Sequence, residues 1–230
     1  MSRLVKYYNG NLVEYDILKL VDFYDPILRQ PTAQWVHKDH APKECEYITF
    51  TLVETLKKLG GVGLSANQIG LPYRVCAINM GNEIWTMFNP EIIDHGLTPS
   101  KYSEGCLSYP GLYLKVPRYD HIKVKFQAAY GQELIQEFDG LTAVCVQHEI
   151  DHLNGIVYTD LVSPIKLEQA KRKIKKNLKG MKKIQRQTVL ADREQEQIEK
   201  TSTTPEPVIK ILDNQTPMQE KPKAFVYSTT

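Results

Sequence analysis

"VCVQHEIDHLNG", residues 144–155, sets two histidines four apart with a glutamate beside the first. On an α-helix, positions i and i+4 share a face, so His148 and His152 would stand one turn apart, where a divalent metal can bridge them. Outward from this core, Leu141, Val144, Cys145, His148 and His152 fall on one helical stripe over 139–154. Asn154-Gly155 supplies a C-terminal stop. The histidines extend an apolar stripe, which predicts a central, buried helix. The bland alternative is a pair of core histidines bonded to backbone. Two buried imidazoles and a buried glutamate would then all need neutralising, which weighs against it.

Two imidazoles do not hold a transition metal tightly, so a third ligand is required. One class of zinc proteases extends the motif to H-E-x-x-H-x-x-G-x-x-H. Here Gly155 is present, but the last position is Tyr158 and no histidine follows His152. The downstream acids Asp160 and Glu168 are poor substitutes, Glu168 lying beyond a proline at the edge of a basic segment. Upstream, "YSEGCLSYPG" (102–111) places Cys106 after a glycine in an expected loop closed by Pro110-Gly111. A thiolate suits a borderline-soft ion. Cys145 is a rival, but it lies three residues from His148 on the apolar stripe and reads as a small core hydrophobe. Cys45 and Cys76 read as structural. The ligand set is therefore Cys106, His148 and His152, with a position left open for water, the signature of a catalytic rather than a structural site. Glu149 lies about 100° around the helix from His148 and reaches that water as a general base.

The chain has 230 residues, 42% of them hydrophobic, enough for one globular domain and an appendage. No uncharged apolar run is long enough to span a bilayer, so no membrane partner is expected. The opening "MSRLVKYYNGNLVEYD" lacks the apolar core of a secretory signal. Four scattered cysteines without a C-x-x-C pair suit reduced thiols, and a cytoplasmic location is expected. Net charge is only +2, yet residues 166–186 hold ten Lys/Arg against one acid, leaving 19 basic and 26 acidic residues elsewhere. An acidic body thus carries a basic arm, which is a partner signal.

These shifts divide the chain into a catalytic metallohydrolase domain (1–165), a basic amphipathic helix (166–187) and a polar tail expected to be disordered (188–230). The arm's apolar face comprises Leu167, Ala170, Ile174, Leu178, Met181 and Ile184. Within the domain, residues 1–43 read as mostly irregular. "ECEYITFTLVETLKKLGG" (44–61) has helical spacing and a glycine stop. "YRVCAINM" (73–80) and "EIWTMFNP" (83–90) read as strands, and "HIKVKFQAAYGQELIQEF" (121–138) as a hairpin about Tyr130-Gly131-Gln132.

Three segments in order, "GVGLSANQ" (61–68), "EGCLS" (104–108) and "QHEIDHLNG" (147–155), resemble the signature segments of peptide deformylases. The resemblance covers about residues 22–165, including "YDPILRQ" and "VPR" at 116–118; Ser65 stands where the family often has alanine. It implies an α+β fold, antiparallel β-sheets around a central metal-binding helix, with an additional C-terminal helix. It implies hydrolysis of the N-formyl group from formyl-methionyl nascent peptides, releasing formate and a free amine. By resemblance, the backbone N–H of Leu107 and the side-chain amide of Gln68 serve the oxyanion. Gly61 and Gly63 keep the approach clear, Val62, Leu141, Val144 and Cys145 line the methionine pocket, and Glu104 pairs with Arg118 behind the metal. One divalent ion is implied, Fe(II) first, with Zn, Ni or Co also suited to Cys-His-His. The basic helix resembles helices of bacterial members that dock on the ribosome, making the ribosome an expected partner; the chain is expected to act as a monomer. Two other readings are an H-E-x-x-H zinc peptidase and a non-catalytic, metal-stabilised binding module.

Overall fold

The computed structural model describes residues 4–8 and 11–176. The first helix, α1 (Pro42–Leu59), follows the 44–61 expectation closely. Cys45, Ile48, Leu52 and Leu56 bury one face at helical spacing. Pro42 occupies the first turn, and the Glu44 carboxylate accepts the Ala41 N–H at 2.7 Å. Gly60 ends the helix at φ 66, a left-handed conformation that glycine adopts without penalty.

The central sheet is five-stranded and antiparallel, in the order β3 (Gly63–Ser65), β4 (Val75–Asn79), β5 (Ile84–His95), β8 (His121–Gln127), β9 (Glu133–Asp139). Both faces of this sheet are covered, which explains the unbroken apolar run in β4. Val75 and Ala77 join Ile48, Leu52 and Leu56 of α1 in one cluster. Cys76 and Ile78 point the other way, into a second cluster with Ala143, Val146, Ile150 and Leu153. Those four belong to α2 (Gly140–Leu153), which is buried nearly all round and sits centrally as expected. Its stripe is not continuous, however: Leu141, in the first turn, is 76% exposed.

Two hairpins lie outside this sheet, and both correct the sequence reading. Residues 4–15 are not irregular but form β1 (Leu4–Tyr8) and β2 (Asn11–Tyr15), paired from Leu4↔Tyr15 to Tyr8↔Asn11. The Asn9-Gly10 pair between two apolar-containing runs was the available signal. Cys106, expected in a loop, is instead the last residue of β6 (Pro99–Cys106), which pairs with β7 (Tyr109–Tyr119). Pro110 and Gly111 lie inside β7. The hairpin was obscured because β6 is polar and only Glu104 on it is buried, whereas β7 alternates with Leu112, Leu114, Val116 and Arg118 inward.

A final helix, α3, runs over 164–176 as far as the described residues go. Leu167, Ala170 and Ile174 pack against a third cluster containing Leu28, Leu112, Val116 and Tyr158. Lys166, Arg172, Lys173, Lys175 and Lys176 are exposed on its other side. The rest of the expected basic helix and the 188–230 tail lie outside the described residues. Among the described residues, no helix is long and apolar enough to cross a membrane.

Candidate metal centre and active site

Burial of α2 against the sheet leaves one of its faces turned toward the β6–β7 hairpin. On it, the His148 and His152 rings stand 4.8 Å apart at 83°. The end of β6 brings Cys106 alongside, with Sγ 3.3 Å from His152 Nε2. The ligand atoms of Cys106, His148 and His152 all lie within 4.8 Å of one another, the spacing of donors around a single ion.

His148 is oriented from behind. Its Nδ1 lies 3.0 Å from Glu104 Oε2, which leaves Nε2 to face the ligand cluster. Glu104 is in turn gripped at two points by Arg118, Nε to Oε1 at 2.6 Å and an Nη to Oε2 at 3.1 Å. A further Arg118 nitrogen donates to Asp151 Oδ2 at 2.6 Å, so a buried guanidinium serves two carboxylates. Burial works against an ionised Glu104, but hydrogen bonds from His148 and Arg118 prevail and hold it below the usual carboxylate range.

The donor set fits a divalent cation. Burial lowers the His148 pKa, yet hydrogen bonding with Cys106 and Glu104 overrides it and raises the imidazole to about 10. The surroundings thus favour positive charge where the three ligand atoms converge, and a bound cation would take the place of the His148 proton, since only neutral imidazole ligates. His152 is pushed the other way, well below its ordinary value, by burial and then by His148. It stays neutral, the form that ligates a metal.

Glu149 points away from that line, as its position on the helix requires. It is 3% exposed, and the Ser65 hydroxyl donates to its Oε2. Burial raises its pKa, outweighing the opposing pull of His148 and of the Ser65 bond. A Cβ on Gly63 would lie 2.5 Å from Glu149 Oε1 and 2.7 Å from Cys145 Sγ, so a side chain at 63 would displace one or both. A Cβ on Gly61 would meet Leu107 Cδ1 at 2.6 Å. Gln68 is buried, its Oε1 accepting the Ser65 N–H at 2.9 Å and its Nε2 donating to Ser108 Oγ at 3.0 Å. That Nε2 lies 3.4 Å from Cys106 Sγ, at the edge of the ligand cluster.

Gln68, Glu104, Cys106, Leu107, His148 and Glu149 open on one cleft of about 610 Å³, whose walls include Gly61, Val62, Gly63, Leu141, Val144 and Cys145, while His152 and Arg118 are buried behind it. Val144 is buried in its wall, whereas Val62 and Leu141 are exposed and form its rim. Every residue expected at the site thus reaches the cleft or the shell behind it. Cys145 is outside the ligand group, and Asp160 is engaged by Arg29 at 2.6 Å. Sequence reasoning missed Ser65, Ser108 and Asp151. Asp151 stood within the motif itself, three residues after His148, and a buried Arg118 needed a second acid.

A sequence profile described as polypeptide deformylase matches residues 17–168. The chain belongs to this family. The match takes in every site residue from Gly61 to His152. A peptide deformylase of Mesorhizobium japonicum is 38% identical over 165 residues, covering 70% of this chain and 92% of the relative. One from Prochlorococcus marinus is 37% identical over 151 residues, covering 64% and 74%. The crystal structure of a peptide deformylase from Legionella pneumophila superposes with a TM-score of 0.64 at 32% identity, covering 72% of this chain and 98% of that one. A Synechococcus elongatus peptide deformylase in complex with actinonin gives 0.63 at 32% identity, covering 68% and 85%. The α+β architecture expected from the resemblance is that of these deformylases.

Proposed function

We infer that this protein removes the N-formyl group from formyl-methionyl nascent peptides by metal-dependent hydrolysis, releasing formate and a free N-terminal amine. The observation that carries it is the convergence of Cys106, His148 and His152 beside a buried Glu149, at the base of one cleft of a deformylase-family chain. Cys106, His148 and His152 would hold the ion. When bound, a divalent ion supplies Lewis acidity and makes water acidic enough to act as a nucleophile near neutrality. Glu149 accepts the proton of that water and delivers it to the departing amine; its raised pKa suits a group that must both take and give. The Gln68 amide and the Leu107 N–H donate to the oxygen on which charge develops. Gly61 and Gly63 keep the entrance free of side chains, while Val62, Leu141, Val144 and Cys145 receive the methionine side chain.

The ion is read as Fe(II), with Zn, Ni and Co also compatible with one thiolate and two imidazoles. Among the described residues the ligand group has three members, which favours an open catalytic position over a closed structural site. The exposed cations of α3 support docking on ribosomal RNA near emerging nascent chains, with the enzyme acting as a cytoplasmic monomer. The test uses protein purified without oxygen and analysed for metal. It should release formate from a formyl-methionyl peptide while leaving N-acetylated and internally quenched peptides intact. Cleavage of the internal bond without formate release would overturn the reading.

A further inference from the structure

Strand β3 runs directly beneath the Glu149 carboxylate, and its alternate residues 63 and 65 face the same way. Gly63 leaves room for Oε1, whereas the Ser65 hydroxyl donates to Oε2. Ser65 has no exposed surface, so water does not compete for this bond. The same hydroxyl lies 3.2 Å from the Glu149 backbone carbonyl. That carbonyl lies within α2, where the helix already offers it the N–H four residues on, at Leu153. The single hydroxyl hydrogen is therefore best used by the carboxylate.

Ser65 has a second arm. Its backbone N–H holds Gln68 Oε1 at 2.9 Å, turning Nε2 toward Ser108 and Cys106. One buried residue thus contacts two groups that the proposed reaction needs.

We propose that Ser65 is a positioning residue: its hydroxyl fixes the Glu149 carboxylate for proton transfer, while its backbone N–H fixes the Gln68 amide. The inference rests on the deformylase reading above. It separates the two arms, because alanine at 65 removes the hydroxyl and retains the N–H. Glu149 then loses its lateral anchor in a buried space, whereas Gln68 keeps its own.

The test compares wild-type and Ser65→Ala protein, each loaded with the same ion to the same occupancy, on a formyl-methionyl peptide. Alanine is smaller than serine and leaves the β3 backbone bonds in place, so the variant retains the fold. Misplacing a proton-transfer group costs on the order of ten- to a hundred-fold. We expect kcat to fall by about that factor with KM within about twofold of wild type, and crystal structures of both proteins to show the Glu149 carboxylate displaced in the variant. Equal kcat, parallel changes in kcat and KM, or an unmoved carboxylate would overturn the role of Ser65. Failure of the wild type to release formate would overturn the functional reading, and the proposal with it.

Discussion

The Glu104 carboxylate lies 3.0 Å from His148 Nδ1 and is clamped by Arg118 through bonds of 2.6 and 3.1 Å. The arginine sets the carboxylate, the carboxylate sets the ring, and the ring presents Nε2. Removing the middle member leaves a buried guanidinium with only Asp151 and a ring free to turn. Glu104→Ala should weaken metal affinity about 10- to 100-fold. It should also lower stability by about 3–5 kcal/mol, the cost of breaking a buried pair. Chelator competition and urea unfolding measure the two effects; wild-type affinity in the variant would refute the orienting role.

Glu149 and Cys106 should fail in opposite ways. Glu149→Gln keeps the ligand set and should retain metal, while turnover falls by on the order of 10²–10⁴. Cys106→Ala should lose tightly bound metal. Cys145→Ala, altering a cleft wall that packs on Gly63, should keep the metal and shift side-chain preference. Metal analysis alongside kinetics on the three variants decides it, and metal loss in Cys145→Ala but not in Cys106→Ala would reverse the assignment.

Gly63 tests how tightly Glu149 is packed. Its replacement by alanine pushes a methyl to 2.5 Å from Oε1 and 2.7 Å from Cys145 Sγ, both on a helix held by the core. Gly63→Ala should destabilise the fold by about 1–3 kcal/mol and lower kcat as Glu149 shifts. Thermal unfolding and kcat measured together check this. A variant with wild-type melting temperature and turnover would show that the helix yields freely.

The basic face of α3 can be probed without removing its packing. Truncation before Lys166 would also strip Leu167, Ala170 and Ile174 from the third cluster, confusing binding with stability. Arg172→Glu, Lys173→Glu and Lys176→Glu together alter exposed positions only. This variant should lose co-sedimentation with ribosomes at low salt yet hydrolyse a short formyl peptide as the wild type does. Undiminished co-sedimentation would return the face to ordinary solvation.

The sequence by itself determined the chemistry. The i, i+4 histidines, the neighbouring glutamate and the upstream Cys106 were legible because a helix converts spacing into direction, and because thiolate and imidazole donors suit a divalent transition metal. It also determined α1, α2 and the β8–β9 hairpin, whose apolar periods are unambiguous. Only the tertiary structure decided what stands behind those groups. Without the family resemblance Arg118 reads as a surface charge, and its second partner Asp151 appears only when β7 turns it inward between two carboxylates from opposite elements. Ser65 reads as a small residue in a glycine-rich segment until β3 lies against α2, 84 positions away in the chain. Likewise, the polar strand β6 has no period of its own and becomes a strand by pairing with β7. Spacing encodes contacts within one element. Contacts between elements depend on which faces the packed sheet and helices bring together, and no local pattern records that.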